Sequence, residues 1–270
     1  MDVTGIRYGP ELSVNPETLE FLEADGKLEE WKVQQGILDM WKEDTYRFQL
    51  TNSDEIMEIT IRELSAYAAG HGSVVWHAAF ILGQYILINR ELFAGKRCLE
   101  MGAGCGLTGI CAGKICSEVF MTDFKEELLE NMNVNIEKNR AVLGGPDCTV
   151  RVGFLDWKDP EAFGENEEFD IILGADVVYA PGLSAPLAHA VKKFLRPGGT
   201  FYGVSLGSRP SFLTFIHTAS QIGLQFSTED LTEFCQRYCA FQGTSQESDF
   251  FQDLQNSKKE FVMFKFYYPI

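Results

Sequence analysis

Polar and apolar residues alternate over positions 45–50, and again where Met57, Ile59 and Ile61 are interleaved with Glu58, Thr60 and Arg62. Asn52-Ser53-Asp54 separates the two runs, so the stretch predicts a β-hairpin with one buried face. Upstream the periodicity is weak, and 17–31 is the one helix it suggests. Residues 76–89 are apolar around most of a helical circumference, which predicts a helix buried on nearly all sides. Short apolar runs then alternate with helical spacing. Strands are predicted at 97–101, 118–122, 149–154, 169–174 and 200–206, and helices at 124–140, 183–195 and 211–222. Arg196-Pro197-Gly198-Gly199 is read as the stop of the second of these helices. A strand at 224–228 and a last one at 260–268 break the rhythm, because no helix directly precedes the last. An antiparallel insertion beside the fifth strand accommodates it. The pattern is that of an α/β fold: a parallel sheet with helices on both faces, residues 1–73 forming an N-terminal extension and 74–270 the main domain.

The sharpest chemical signal is Glu100-Met101-Gly102-Ala103-Gly104-Cys105-Gly106-Leu107, which runs from a strand through a glycine turn into a helix. Glycines there permit a tight turn and close approach of a ligand to the backbone. Leu107 stands where a dinucleotide fingerprint has its third glycine. A carboxylate at Glu100 would repel a pyrophosphate and attract a cation, which favours S-adenosylmethionine, with its sulfonium and ammonium, over NAD. The helix start is expected to offer N–H groups to that ligand's carboxylate.

In such sheets ligands bind beyond the carboxyl ends of the strands. Asp123 ends the second strand, where an acid accepts hydrogen bonds from ribose hydroxyls or caps the next helix. Asp156-Trp157 follows the third strand, placing an acid and an indole where a purine could pack, or a tryptophan under a loop. Trp76 begins the buried helix, and either walls a pocket or staples the extension. The fourth strand ends at Gly174-Ala175-Asp176-Val177-Val178-Tyr179, which puts a carboxylate and a phenol at the rim of a transfer site, or a strand-end N-cap and a packed tyrosine.

Together with Val74-Val75-Trp76-His77-Ala78-Ala79 before the first strand, these motifs resemble the seven-strand methyltransferases of family 16 over roughly residues 45–206. The resemblance implies a Rossmann-like seven-strand sheet with the last strand antiparallel, and S-adenosylmethionine as cofactor. It implies a pocket lined by Trp76, Glu100, Gly102, Ala103 and Gly104, completed by Asp123, Asp156, Trp157 and Ala175. Asp176 and Tyr179 would border the acceptor as the catalytic pair. Several members methylate protein lysines, on chaperones and translation factors among others, so a protein lysine is the expected acceptor. A small molecule, a histidine, an N-terminal amine, or a scaffold that binds cofactor without turnover are the alternatives. Cys105 is unusual in the glycine turn and raises the expectation of sensitivity to oxidation or alkylation.

A net charge of −16 argues against nucleic acid, and either attracts a basic protein segment or only aids solubility. No apolar run reaches membrane-spanning length, and the N-terminus lacks the layout of a secretory signal. Seven cysteines without a paired C-x-x-C motif read as reduced thiols. Cys235 and Cys239 lack further ligands for zinc, so no metal is expected. A cytoplasmic or nuclear monomer is the resulting expectation, with 241–259 as either a substrate loop or a connector.

Overall fold

The computed structural model describes residues 41–50, 55–65, 69–144, 148–164, 167–239 and 260–270. The helix expected at 17–31 and the segment 241–259 lie outside the described residues. The chain builds a hairpin of β1 (Trp41–Gln49) and β2 (Ile56–Leu64), then a seven-stranded sheet. The sheet holds β3 (Arg97–Met101), β4 (Glu118–Asp123), β5 (Thr149–Phe154), β6 (Phe169–Ala175), β7 (Leu195–Leu206), β8 (Gln225–Asp230) and β9 (Phe261–Tyr267). Its strand order is β5-β4-β3-β6-β7-β9-β8. The first five of these run parallel, while β9 is antiparallel to both β7 and β8, as the unhelical run-up to the last strand implied.

Among the described residues the α-helices of six residues or more are α1 (His77–Ile88), α2 (Leu107–Ala112), α3 (Glu126–Lys138), α4 (Pro181–Phe194), α5 (Ser211–Gln221) and α6 (Thr232–Tyr238). Helix α1 is buried along most of its length, as its apolar circumference requires. Helix α6 is too short for periodicity to reveal and was not expected. Helix α4 does end at Phe194, but Arg196-Pro197-Gly198-Gly199 is no open loop: the strand begins at once at Leu195 and runs through it.

The hairpin stands apart from the main sheet. Met57, Ile59, Ile61 and Glu63 form its buried face at the spacing of two that a strand dictates. Three asparagines of α3 and its cap, four residues apart, close the outer edge of β2. Asn139 accepts from the Thr60 N–H at 3.0 Å and donates to its carbonyl at 2.8 Å. Asn135 does the same for Arg62 at 2.8 and 3.1 Å, and Asn131 adds a bond to the Arg62 carbonyl. An edge strand's unpaired amides are thereby satisfied without another strand. Gln84, buried in α1, holds the far end of the hairpin by bonds to both backbone groups of Gln49.

Glu63 connects this hairpin to the ligand face. Its carboxylate accepts from the Val75 N–H at 2.8 Å and the Tyr46 hydroxyl at 3.1 Å, and pairs with Lys42. The segment leading into Trp76 is therefore pinned from the hairpin side.

Candidate active site

Strand order reverses at the β3–β6 pair: the chain leaves β3 toward β4 and β5, then returns to the other side of β3 as β6. Helices connecting the two directions diverge there, which leaves a crevice at the carboxyl ends. A cavity of about 550 Å³ lies over it, a size typical of small-molecule sites. Every residue nominated from sequence lines it. Trp76, Glu100, Gly102, Ala103 and Gly104 do so with Asp123 and Asp156. Trp157, Ala175, Asp176 and Tyr179 complete the set.

The glycine turn is shaped by contacts that admit no side chain. Gly104 has φ +55°, and a Cβ on it would lie 2.9 Å from the Gly72 carbonyl oxygen. Trp157 packs over the same turn, 3.1 Å from where a Cβ on Gly102 would sit. The N–H of Ala103 donates to the Thr122 carbonyl, that of Gly104 to Asp123 Oδ2 and that of Gly106 to the Ala103 carbonyl. These three amides are consumed in building the turn, and α2 is only six residues long. The expectation that this helix start would cradle the ligand's carboxylate is not carried by them.

Glu100 also differs from its expected part. It is buried, with Oε2 beside Gly109 and lacking any hydrogen-bond partner. Burial pushes its carboxyl up to about 8, Asp123 adding to the effect and the Thr108 side chain and Gly109 N–H opposing it. At neutral pH the group is mostly uncharged, so long-range attraction of a cation is not its contribution. Glu100 lines the cavity, but its unpartnered Oε2 is packed toward Gly109.

Asp123 accepts from the Gly104 N–H at 3.0 Å and the Phe124 N–H at 2.8 Å, so it organises the turn and the start of the next segment. Burial raises its pKa against those bonds. Asp156 accepts from the Lys158 N–H, which closes the turn that presents Trp157.

At the mouth, Trp76 is fixed by its indole N–H donating to the His71 carbonyl at 2.8 Å. The His71 ring lies 6.5 Å from both the Trp76 and Tyr179 rings. Partial burial, with Asp123 nearby, raises the Tyr179 phenol. Asp176 is not a free carboxylate. Arg209 grips it with Nη2 on Oδ2 at 2.5 Å and Nε on Oδ1 at 3.2 Å, and Ser205 donates to Oδ1. Sequence reading missed His71, in a short 3-10 turn (Gly70–Ser73) just before the Val74–Ala79 run, and Arg209, in the turn between β7 and α5. It also expected a vulnerable Cys105. That thiol is buried and donates to the Ser73 carbonyl at 3.1 Å, and desolvation pushes it far from thiolate formation.

The family described as lysine methyltransferase matches residues 53–221, a span that holds the glycine turn, Asp123, Trp157 and Asp176-x-x-Tyr179. The chain belongs to the lysine methyltransferase family.

A zebrafish (Danio rerio) relative, "Protein N-lysine methyltransferase METTL21A", is 36% identical over 124 residues, 44% of this chain and 56% of that protein. The mouse "EEF1A lysine methyltransferase 3" is 31% identical over 149 residues, 54% of this chain and 60% of that protein. The chain thus spans little more than half the length of these relatives. Among solved structures, a T. thermophilus 16S rRNA N2 G1207 methyltransferase in complex with AdoMet and guanosine aligns with TM-score 0.51. At 17% identity, over 82% of this chain and 50% of that one, the likeness is one of fold alone: this chain has the Rossmann-like methyltransferase fold.

Proposed function

We propose that this chain is an S-adenosylmethionine-dependent N-methyltransferase that modifies a lysine side chain of a protein. The observation that carries the reading is the convergence, in one cavity at the sheet's switch point, of the glycine turn, Asp123, Trp157 and Asp176-x-x-Tyr179. Its family membership and the lysine-methylating relatives support the choice of acceptor.

When bound, the cofactor supplies a methyl carbon on a positively charged sulfur; nitrogen–carbon bond formation accompanies carbon–sulfur cleavage. The chain's own residues do the rest. Asp123, with lone pairs left after its two backbone bonds, would hold the cofactor's ribose hydroxyls. Trp157 and Asp156 would receive its adenine. Trp76, His71 and Tyr179 wall the mouth. Asp176 accepts from the acceptor nitrogen and aligns it with the methyl group. Such alignment can contribute roughly 7–11 kcal/mol at its upper end. The acceptor must arrive as a neutral amine, so desolvation by the aromatic wall assists it.

The acidic chain suits a basic partner segment, and translation factors or chaperone-type proteins are the first to test. All seven cysteines are free, which fits the cytoplasm, with the nucleus second. No nucleic-acid or membrane partner, and a monomer, complete the reading.

The test incubates the purified chain with methyl-labelled S-adenosylmethionine and a hypomethylated cell extract. Label on a discrete protein band, sharply reduced with Asp176→Ala and mapped to lysine by mass spectrometry, supports the proposal. Label only in the low-mass fraction, or on a nitrogen other than lysine, refutes it. Cofactor binding without label anywhere points to a silent scaffold.

A further inference from the structure

Asp176 is the one non-glycine residue with positive φ, +53°, among the described residues. That conformation is strained for a residue with a Cβ and persists only where its surroundings enforce it. The enforcement is visible. The Asp176 N–H donates to the Val204 carbonyl at 2.8 Å, and Ser205 and Arg209 bind the carboxylate from the same side. Arg209 belongs to the turn between β7 and α5, lines the cavity, and makes a two-pronged pair with Asp176. The carboxylate is nearly buried, its side chain 10% exposed against 28% for Arg209.

This pairing answers a difficulty in the proposed reaction. A lone carboxylate beside the acceptor would stabilise its ammonium form, which cannot attack a methyl group. We propose that Arg209 is a positioning residue for methyl transfer: it neutralises Asp176, so that Asp176 can orient the acceptor amine without holding it protonated. The inference rests on the lysine-methylation reading above. Arg209 occupies one site on Oδ2 and leaves a lone pair to accept an amine N–H, while the guanidinium cancels the charge. Other titratable groups face this rim from each surrounding element. Tyr179 lies on the same turn, His71 on the turn before Trp76, Asp123 at the end of β4 and Lys125 after it, Asp156 and Lys158 after β5, and Glu100 on β3. All are retained in the variants below, so a difference between variants reports on the Asp176–Arg209 pair.

The experiment measures labelled methyl transfer from S-adenosylmethionine into the acceptor band of a hypomethylated extract. Rates are taken from pH 6 to 10 at varied extract concentration, with cofactor affinity by calorimetry and thermal midpoint recorded alongside. Arg209→Gln is expected to move the acid limb of the rate profile about one pH unit upward or more, the scale of a neighbouring opposite charge. At neutral pH its kcat falls roughly tenfold while the acceptor KM also falls, because the exposed carboxylate binds ammonium unproductively. The rate recovers at high pH. Arg209→Lys keeps the wild-type limb. In the double variant Asp176→Asn with Arg209→Gln the limb returns to the wild-type position, whatever its maximal rate. A purely structural role would lower kcat equally at every pH and leave the limb in place.

An unmoved limb in Arg209→Gln, a raised KM, or a shifted limb in Arg209→Lys overturns the proposal. Should Arg209→Gln bind cofactor poorly or melt early, the Arg209→Lys profile and the double variant decide. If the wild-type enzyme itself labels no protein lysine, the methylation reading has failed, and that is seen before any variant is compared.

Discussion

Replacing Glu100 by glutamine should change how the stability of the free protein depends on pH. The side chain keeps its shape and loses its titration. In the folded chain the carboxyl is pushed from its ordinary value of 4.5 up to about 8, chiefly by burial. The folded state therefore holds this proton more tightly than the unfolded chain does. Its contribution to stability is fully present below pH 4.5 and is lost as pH rises through 8. Three to four units at about 1.4 kcal/mol each set a ceiling near 5 kcal/mol, and relaxation of the site brings the expected loss to roughly 3–5 kcal/mol. Glu100→Gln escapes that loss. Urea unfolding of both proteins without cofactor, at pH 5, 6.5 and 8.5, measures it. The stability of the variant relative to wild type should climb by that amount across the range, whatever its offset at pH 5. A difference that stays flat within about 0.5 kcal/mol, the usual scatter of a neutral change, would refute the claim that Glu100 is buried and mostly uncharged.

Three further outcomes follow from particular contacts. Asn135→Ala leaves the backbone groups of Arg62 and the Cys105 carbonyl short of a partner, and should cost about 3 kcal/mol in a urea melt, with faster hydrogen exchange at the Arg62 amide. Gly104→Ala meets both an unfavourable φ and the Gly72 carbonyl, whereas Gly95→Ala, at φ +69° with open space around it, meets only the first. The Gly95 variant should lose about 1–2 kcal/mol and the Gly104 variant clearly more; equal losses would dismiss the close approach. Iodoacetamide on the native protein should modify Cys148 well before Cys105, and rapid Cys105 labelling by peptide mass spectrometry would contradict its burial.

Much of the architecture was legible because the physics that writes it is local. Alternation in 57–61 marked the hairpin, continuous apolar runs marked the parallel strands, and the polar sequence before 260, with no helical pattern, marked an antiparallel partner for β7. The asparagine stripe of α3 was hidden, because Asn131, Asn135 and Asn139 read as polar positions until an unpaired strand edge lies against them. Glu63 was likewise one more acid in an acidic segment, although its bonds tie the hairpin to the wall of the cavity.

By itself the sequence determined the order of elements, the site of the glycine turn and the set of residues that reach the carboxyl ends of the strands. Those depend on side-chain period and on what a turn permits within a few residues. Tertiary structure alone decided the state of the groups so assembled. It buried Glu100 and pushed its carboxyl up to about 8, spent the turn's amides on Thr122 and Asp123, and sheathed Cys105. It also brought Arg209 across 33 positions onto Asp176. Desolvation and charge pairing act through space, between residues that have no fixed relation along the chain, so the chemistry of this site becomes readable only when the sheet has folded.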